Sequence, residues 1–303
     1  MNRIKTILVI AQRSGEVAGA LQKACIVARH FGASIELFAC DAEHAYMAEH
    51  TYDKRGVVDA VEKCLLDSRR FLDAVRGSVV ANDLEIRTSV ACETPLHVGI
   101  LRKIEALQPD LVIRCVERRG QQRQSALTPT DWQLLRSCPA PLMLTRGRTW
   151  HPVPRIAAAL DLQAGQEVVG QRVLAAATYL ATGCGGRIDL VHSRPAGAGD
   201  PAAVEAMRAI AHAVGIDTIV PRLLDGVPEH TLPRLVREDN IDVMVIGALS
   251  RRVGALGDAV GTLTETLIEA LDCDFLLVRH GGEAALGDGP QRSASRGAAS
   301  LRA

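Results

Sequence analysis

Asp110-Leu-Val-Ile-Arg-Cys115 and Asp242-Val-Met-Val-Ile-Gly247 are two hexapeptides of one type, each an apolar run that opens with Asp. Around them the chain repeats one series of patterns. A short apolar run follows a basic residue near the start, and Cys, an apolar run, a basic residue and Gly come at the end. The matching stretches are 3–147 and 155–281. A repeat this long is a whole domain rather than a solenoid unit, so the sequence predicts two copies of one fold.

In each copy, apolar segments of strand length alternate with amphipathic segments of helix length. This alternation indicates βαβ units and a parallel sheet covered on both faces. The predicted fold is α/β, with two five-stranded, flavodoxin-like or Rossmann-like parallel sandwiches in tandem. We place the first domain at 1–148, a Pro- and Trp-containing linker at 149–154 and the second domain at 155–281. Residues 282–303 lack apolar periodicity, and we expect this tail to be disordered.

The composition excludes several classes of protein. Lys and Arg number 35, as do Asp and Glu, so no net charge attracts nucleic acid or an anionic membrane. Aromatic residues make up 3%, too few for a base-stacking platform, and no apolar run approaches the ~20 residues of a spanning helix. The first strand begins too early for a signal peptide to precede it. The eight cysteines are scattered singly, which predicts buried thiols in a reducing cytoplasm.

Motifs of enzyme chemistry are missing from the chain. Its nine histidines form no HExxH or HxxEH spacing, no G-x-S-x-G elbow occurs, and no Gly-Lys-Ser/Thr marks a Walker loop. No pair of residues stands out as a general acid and base. We therefore expect no catalytic residues, no metal site and no enzymatic activity.

The second copy carries the strongest candidate for a binding site. In a doubly wound sheet, ligands bind beyond the carboxyl ends of the strands at the switch point. There the sequence places Asp161 after strand one, Ser193 after strand two, and a Gly-rich loop that runs from Gly247 to Thr262. Glycines let backbone N–H groups approach a polyanion, and a helix start at Thr262 would favour phosphate. A flexible surface loop with an ordinary Thr cap is the alternative.

The first copy lacks these features. Its first strand ends at Gln12 without an acidic residue, and Pro129 after Thr128 removes an N–H from the helix start. The basic residues of the intervening loop are interpreted as a solvated charge cluster; they are Arg118, Arg119 and Arg123. We therefore expect the first copy to have lost the phosphate site.

At this point a resemblance to a known family becomes specific. The repeat, the order of elements and the loop resemble a tandem universal stress protein of the E type over roughly residues 1–281. The segment Thr128-Pro-Thr-Asp-Trp-Gln-Leu-Leu-Arg-Ser-Cys-Pro139 is similar to the first half of that subfamily. Residues 247–278 resemble the family's last strand, loop, helix and strand.

The resemblance implies roles for residues of the second half. Asp161 matches an acidic position that contacts the nucleoside, and the backbone at Ser193 matches a position that meets adenine. The family's G-x2-G-x9-G-(S/T) loop matches Gly247 first and Gly261 with Thr262 last. Ser250 stands where the second Gly is expected, ten residues separate it from Gly261, and Gly254 could absorb the extra residue.

The function implied by the resemblance is that of a cytoplasmic stress-response protein that binds adenine nucleotide, ATP with Mg²⁺ as its companion, in the second domain. Two alternatives stay open: a stress scaffold that binds no nucleotide, and a weak ATPase or autophosphorylating protein with Ser250 and Thr262 as acceptors. The resemblance further implies that the two domains pair as an intramolecular pseudo-dimer through their last strands, and it allows a homodimer. Nucleic acid and membrane are not expected partners.

Overall fold

A computed structural model of the chain describes residues 4–13, 16–50, 54–116, 127–195, 200–216, 218–247 and 262–278. Ten strands occur within these ranges. In the first half they are β1 (Thr6–Ala11), β2 (Ser34–Asp41), β3 (Ile86–Cys92), β4 (Leu111–Cys115) and β5 (Leu142–Thr145). In the second half they are β6 (Arg155–Ala159), β7 (Arg187–Arg194), β8 (Pro221–Asp225), β9 (Val243–Gly247) and β10 (Asp274–Val278).

Helices connect the strands in both halves. They are α1 (Val17–Phe31), α2 (Glu43–His50), α3 (Lys54–Gly77), α4 (Leu96–Leu107), α5 (Pro129–Ser137), α6 (Glu167–Cys184), α7 (Pro201–Ala213), α8 (Pro228–Glu238) and α9 (Thr262–Ala270). Helix α2 was not expected from the sequence, which shows no amphipathic period over Glu43–His50. Within the described ranges, no helix combines the length and the apolarity needed to cross a bilayer.

The strand order confirms the predicted α/β fold and decides between its two variants. The sheet runs β3-β2-β1-β4-β5 through the first half and β8-β7-β6-β9-β10 through the second. Each half therefore has the order 3-2-1-4-5, which is the Rossmann-like one. The switch point, where successive connections leave in opposite directions, lies between β1 and β4 and again between β6 and β9.

One sheet continues through both halves. Strands β5 and β10 pair antiparallel, with Leu276 opposite Met143, whereas the other strand pairs of the sheet are parallel. Both central strands are fully buried, because helices cover both faces of the sheet. The edge that each half would otherwise expose is thus covered by the other half.

Helices α1 and α6 pack against each other across this junction. The rings of Phe31 and Tyr179 stack with their centroids 4.5 Å apart, and the Ile4 backbone N–H donates to the Tyr179 hydroxyl at 2.7 Å. Beside them the Lys23 ammonium lies 2.6 Å from the Asp274 carboxylate, and both side chains are almost fully buried. The junction therefore has both an apolar and an ionic part.

Candidate functional site

A cavity of about 930 Å³ opens at the carboxyl ends of β6, β7 and β9, beside the second switch point. Its floor and rim include Asp161 after β6, His192 and Ser193 on β7, and Gly247 at the end of β9. Helices α6, α7 and α9 supply apolar walls, among them Val173, Ala203 and Leu267. Three candidate residues named from the sequence, Asp161, Ser193 and Gly247, therefore line one cavity.

Asp161 is one of two carboxylates that line this cavity; the other, Asp200, caps helix α7 by accepting the Ala203 backbone N–H. The Asp161 side chain is exposed, and its Oδ1 accepts a hydrogen bond from the Gln163 backbone N–H at 3.0 Å. This local bond orients the carboxylate at the end of β6. A carboxylate has about four acceptor sites, so this one can still accept hydroxyl groups of a ligand.

His192 and Ser193 are held by the scaffold. The Leu160 carbonyl can only accept, so His192 Nδ1 donates to it across 2.9 Å, which fixes the ring tautomer. The Thr231 hydroxyl donates to the Val227 carbonyl at 3.2 Å and accepts from the Ser193 hydroxyl at 2.7 Å. With the Ser193 hydroxyl engaged, its backbone is the part of that residue best placed to meet a ligand.

Gly247 is required by close packing between β9 and α6. A Cβ at this position would lie 2.8 Å from Cγ1 of Val169, which is closer than a real Cβ contact. The Gly247 carbonyl accepts from the Thr264 hydroxyl at 3.4 Å, which links the end of β9 to the first turns of α9. Glycine thus lets strand, helix α6 and helix α9 converge on the cavity.

The phosphate-binding half of the predicted site lies largely outside the described residues. Ser250, Gly254 and Gly261 are in that part of the chain, as are the basic loop residues of the first half. Thr262 is the first residue of α9, at the helix start that the sequence predicts. The roles expected for these four residues remain predictions.

The register of the sheet identifies the corresponding positions of the first half. Ile7 pairs with Leu111 just as Ile156 pairs with Val243, so Gln12 corresponds to Asp161 and Arg114 to Ile246. The last turns of helices α5 and α9 end in equivalent hydrogen bonds, donated by the backbone N–H groups of Cys138 and Leu271. The residues seven positions before these two, Asp131 and Thr264, therefore also correspond to each other.

In the first half these positions form a buried ion pair. The Arg114 side chain is 1% exposed; its Nε donates to the Asp131 carboxylate, and its Nη2 donates to Gln12 Oε1 at 2.9 Å. The other Asp131 oxygen accepts from the Thr128 backbone and hydroxyl, both at 2.7 Å, within a capping box. The chain's own guanidinium and carboxylate therefore lie where the second half has cavity wall.

Sequence reasoning predicted the loss of this site from the missing acid and glycines, and it missed the ion pair. A signal was present, because Arg114 interrupts an otherwise apolar strand. A charge in a buried strand requires a partner. The partners could not be identified, since Gln12 lies 102 residues away and Asp131 lies 17 residues away.

Comparisons with known proteins agree with this architecture. Universal stress protein E of Salmonella typhi is 23% identical over 308 residues, which cover 92% of this chain and 95% of the relative. Universal stress protein E of Escherichia coli K12 is 21% identical over the same shares of the two chains. No family model matches the chain.

Solved structures share the fold. A universal stress protein of Archaeoglobus fulgidus DSM 4304 superposes with a TM-score of 0.66 at 16% identity, covering 91% of this chain and 98% of its own. A Pseudomonas aeruginosa UCBPP-PA14 protein assigned to the same family gives 0.65 at 20% identity, with coverage of 91% and 93%. Along nearly the whole of both chains, this chain is therefore similar in sequence to proteins named universal stress protein E, and it shares the fold of solved universal stress proteins.

Proposed function

We propose that the chain is a cytoplasmic stress-response protein that binds one adenine nucleotide, ATP, in its second half, with little or no turnover. The observation that carries this proposal is the contrast between the two switch points. The second has a cavity rimmed by Asp161, whereas the first holds the Arg114–Asp131 ion pair. A protein that used both halves alike would not need this difference.

The cavity suits a nucleoside in size and chemistry. Its volume of about 930 Å³ falls within the usual range for small-molecule sites. Apolar walls from α6 and α7 would cover a flat base, backbone groups near Ser193 would meet its edge, and the Asp161 carboxylate would accept ribose hydroxyls. An acidic side chain at the carboxyl edge of the sheet is a known partner of ribose hydroxyls in doubly wound dinucleotide-binding folds.

The phosphates would lie between Gly247 and the start of α9. Free N–H groups and the helix dipole favour negative charge at a helix N-terminus, and Thr262 is the first residue of α9. The loop between them, with Ser250, Gly254 and Gly261, would wrap the phosphates, and Mg²⁺ would enter on the nucleotide.

Binding without turnover fits the groups that the described part of the cavity provides. His192, the imidazole at its rim, is already hydrogen-bonded through Nδ1 to the Leu160 carbonyl. The Ser193 hydroxyl is engaged with Thr231. The Nδ1 bond leaves His192 Nε2 unprotonated, but among the described residues no hydroxyl or thiol is hydrogen-bonded to it, so the nucleophile–base pair that hydrolysis or phosphotransfer would use is not formed there.

The eight cysteines are free thiols, in keeping with a reducing compartment.

We further propose that the paired halves work as a permanent intramolecular dimer. The antiparallel β5–β10 pair and the buried Lys23–Asp274 contact hold one binding half against one half with a filled switch point. This arrangement would give one nucleotide per molecule, and the first half would act as scaffold.

Nucleotide retained through purification provides the direct test. The chain would be purified without added nucleotide and heated, and the released small molecules identified by chromatography with mass detection. We expect an adenine nucleotide that is strongly reduced in Asp161→Ala. Release of no nucleotide, together with no shift of the melting temperature at millimolar ATP, would favour the scaffold alternative.

A further inference from the structure

A second cluster of chemically active side chains lies in the first half, at the carboxyl end of β2. It joins Asp41, the last residue of β2, with His44 of α2 and Cys64 of α3. Their ligand atoms, a carboxylate oxygen, an imidazole nitrogen and the thiol sulfur, all lie within 4.8 Å of one another. Three donors of different chemical type from three elements therefore converge on one point. We propose that Asp41, His44 and Cys64 form a Zn²⁺ site.

The identity of the donors selects the metal. Sulfur and imidazole ligands disfavour Mg²⁺ and Ca²⁺, which take oxygen, whereas Zn²⁺ binds Cys, His and Asp together. Zn–ligand bonds of about 2.0–2.3 Å place neighbouring ligand atoms of a tetrahedral site about 3.4–3.6 Å apart. His44 Nδ1 and Asp41 Oδ1 are already 3.2 Å apart. A change of about 1 Å in the remaining side-chain positions would thus complete three ligands.

Helix capping explains only part of the cluster. Asp41 Oδ1 accepts the His44 backbone N–H at 3.0 Å, which is an ordinary function of an Asp before a helix. Capping requires neither the His44 ring nor a thiol. Yet both are present, and the buried Cys64 sulfur lies within 4.8 Å of the Asp41 carboxylate. The two groups that capping leaves unexplained, the His44 ring and the Cys64 thiol, are both of the types that bind Zn²⁺.

The three side chains become more exposed from Cys64 through Asp41 to His44, which gives an ion a route from the solvent to the thiol. Cys64 lies in the interior, the Asp41 side chain is 20% exposed and the His44 side chain is 38% exposed. An ion can therefore enter from the side of His44 and reach the sulfur. Ser68, one turn further along α3, is buried and accepts a hydrogen bond from Arg13 Nη2 at 3.4 Å. Polar groups placed this close to a ligand can act as the outer groups that orient metal ligands.

Among the residues that the structure describes, the second half has no matching cluster. Register matches Asp41 with Arg194, because Ile10 pairs with Phe38 where Ala159 pairs with Val191. Arg194 forms a salt bridge of 2.8 Å with Asp225. The second half thus has a cation where the first has the central carboxylate.

Three protein ligands would leave one position of a tetrahedral ion open for water or a small ligand. Binding replaces the thiol proton, so that one Zn²⁺ enters as the Cys64 S–H becomes a Zn–S bond and H⁺ passes to the solvent. The His44 proton that Nδ1 now donates to Asp41 would move to Nε2 through the solvent, which leaves the Nδ1 lone pair for the ion. The bound ion would link β2, α2 and α3 directly.

Cobalt substitution tests the site. Co²⁺ titrated into the full-length, reduced chain should give one equivalent of tetrahedral d–d absorption with a sulfur-to-cobalt charge-transfer band, and one equivalent of Zn²⁺ should displace it. Cys64→Ser should abolish the charge-transfer band. Asp41→Asn should lower Zn²⁺ affinity by at least roughly 100-fold, more than is usual for outer-shell changes, while it preserves the helix cap.

The control is Cys184→Ser, which removes a half-buried thiol of the second half and should leave the spectrum unchanged. Circular dichroism would establish that each variant is folded, and Asp41→Asn provides the decisive variant if Cys64→Ser unfolds. A band that survives Cys64→Ser would overturn the proposal. So would affinity unaffected by Asp41→Asn, or no uptake of either ion.

Discussion

Asp161 is the residue on which nucleoside recognition depends in this account. Its side chain is exposed, so Asp161→Asn should fold normally and keep the acceptor for the Gln163 N–H. Hydrogen bonds to a charged group contribute about 1.5–3 kcal/mol, so ATP affinity should fall at least roughly 10-fold. Isothermal titration of both proteins measures this. Asp83→Asn, at an exposed carboxylate of the first half, is the control. Equal affinities for Asp161→Asn and the parent would count against the assigned role.

Arg114 provides a test of the ion pair at the filled switch point. Arg114→Ile would leave Asp131 buried and without its cation, which costs about 3–5 kcal/mol in comparable cases. Arg114→Ile combined with Asp131→Thr copies the second half, leaves no unpaired charge and should recover most of this loss. The free energies of unfolding of the single and double variants, measured in urea, test whether Arg114 and Asp131 are paired. A double variant no more stable than the single one would contradict the pairing.

Individual residues also show where sequence reasoning works and where it fails. Asp161, Ser193 and Gly247 could be placed together because each lies at or just beyond the carboxyl end of a strand, and parallel strands end at the same edge. The grouping of Asp41, His44 and Cys64 could not be predicted, because three separate elements bring them together and their spacing matches no ligand motif. Arg114 could be recognised as unusual, but its partners depend on tertiary packing.

At the level of elements, helices α1 and α6 each contain a glycine, and the two glycines have opposite environments. A Cβ on Gly183 of α6 would lie 2.3 Å from the Phe31 ring, whereas a Cβ on Gly19 of α1 would have no neighbour within 4 Å. Gly183→Ala should therefore destabilise the protein by about 1–3 kcal/mol through overpacking. Gly19→Ala should stabilise it by about 0.5–1 kcal/mol through helix propensity. Thermal unfolding of the pair provides the measurement, and a stabilising Gly183→Ala would refute the close α1–α6 contact.

The elements that the sequence predicted share a clear signal. Strands β1, β4 and β9 are apolar runs buried on both faces, and the repeat places them twice in the same order. Helix α2 lacked such a signal, because Glu43–His50 has an apolar block, Ala45–Ala48, between two polar pairs and shows no helical stripe. Its position is set instead by Asp41 at its start and by packing against α3.

For the whole molecule, the shared sheet predicts that neither half is stable alone. Residues 1–148 would expose β5 and residues 153–281 would expose β10, both apolar strands now paired with each other. Exposed edges of this kind pair with other chains. We expect each half to be insoluble or to self-associate, as measured by light scattering after size-exclusion chromatography. Two stable monomers would refute a single folding unit.

The proposal makes one main claim: a single nucleotide binds per molecule, at the second switch point. The first switch point is occupied by the Arg114–Asp131 ion pair. The variant Ile246→Arg with Thr264→Asp copies the first-half ion pair into the cavity wall. Calorimetric titration of ATP into the parent chain and this variant tests the claim most directly. The account predicts a stoichiometry near one for the parent and no detectable binding for the folded variant. Two nucleotides per parent chain, or undiminished binding by the variant, would contradict it.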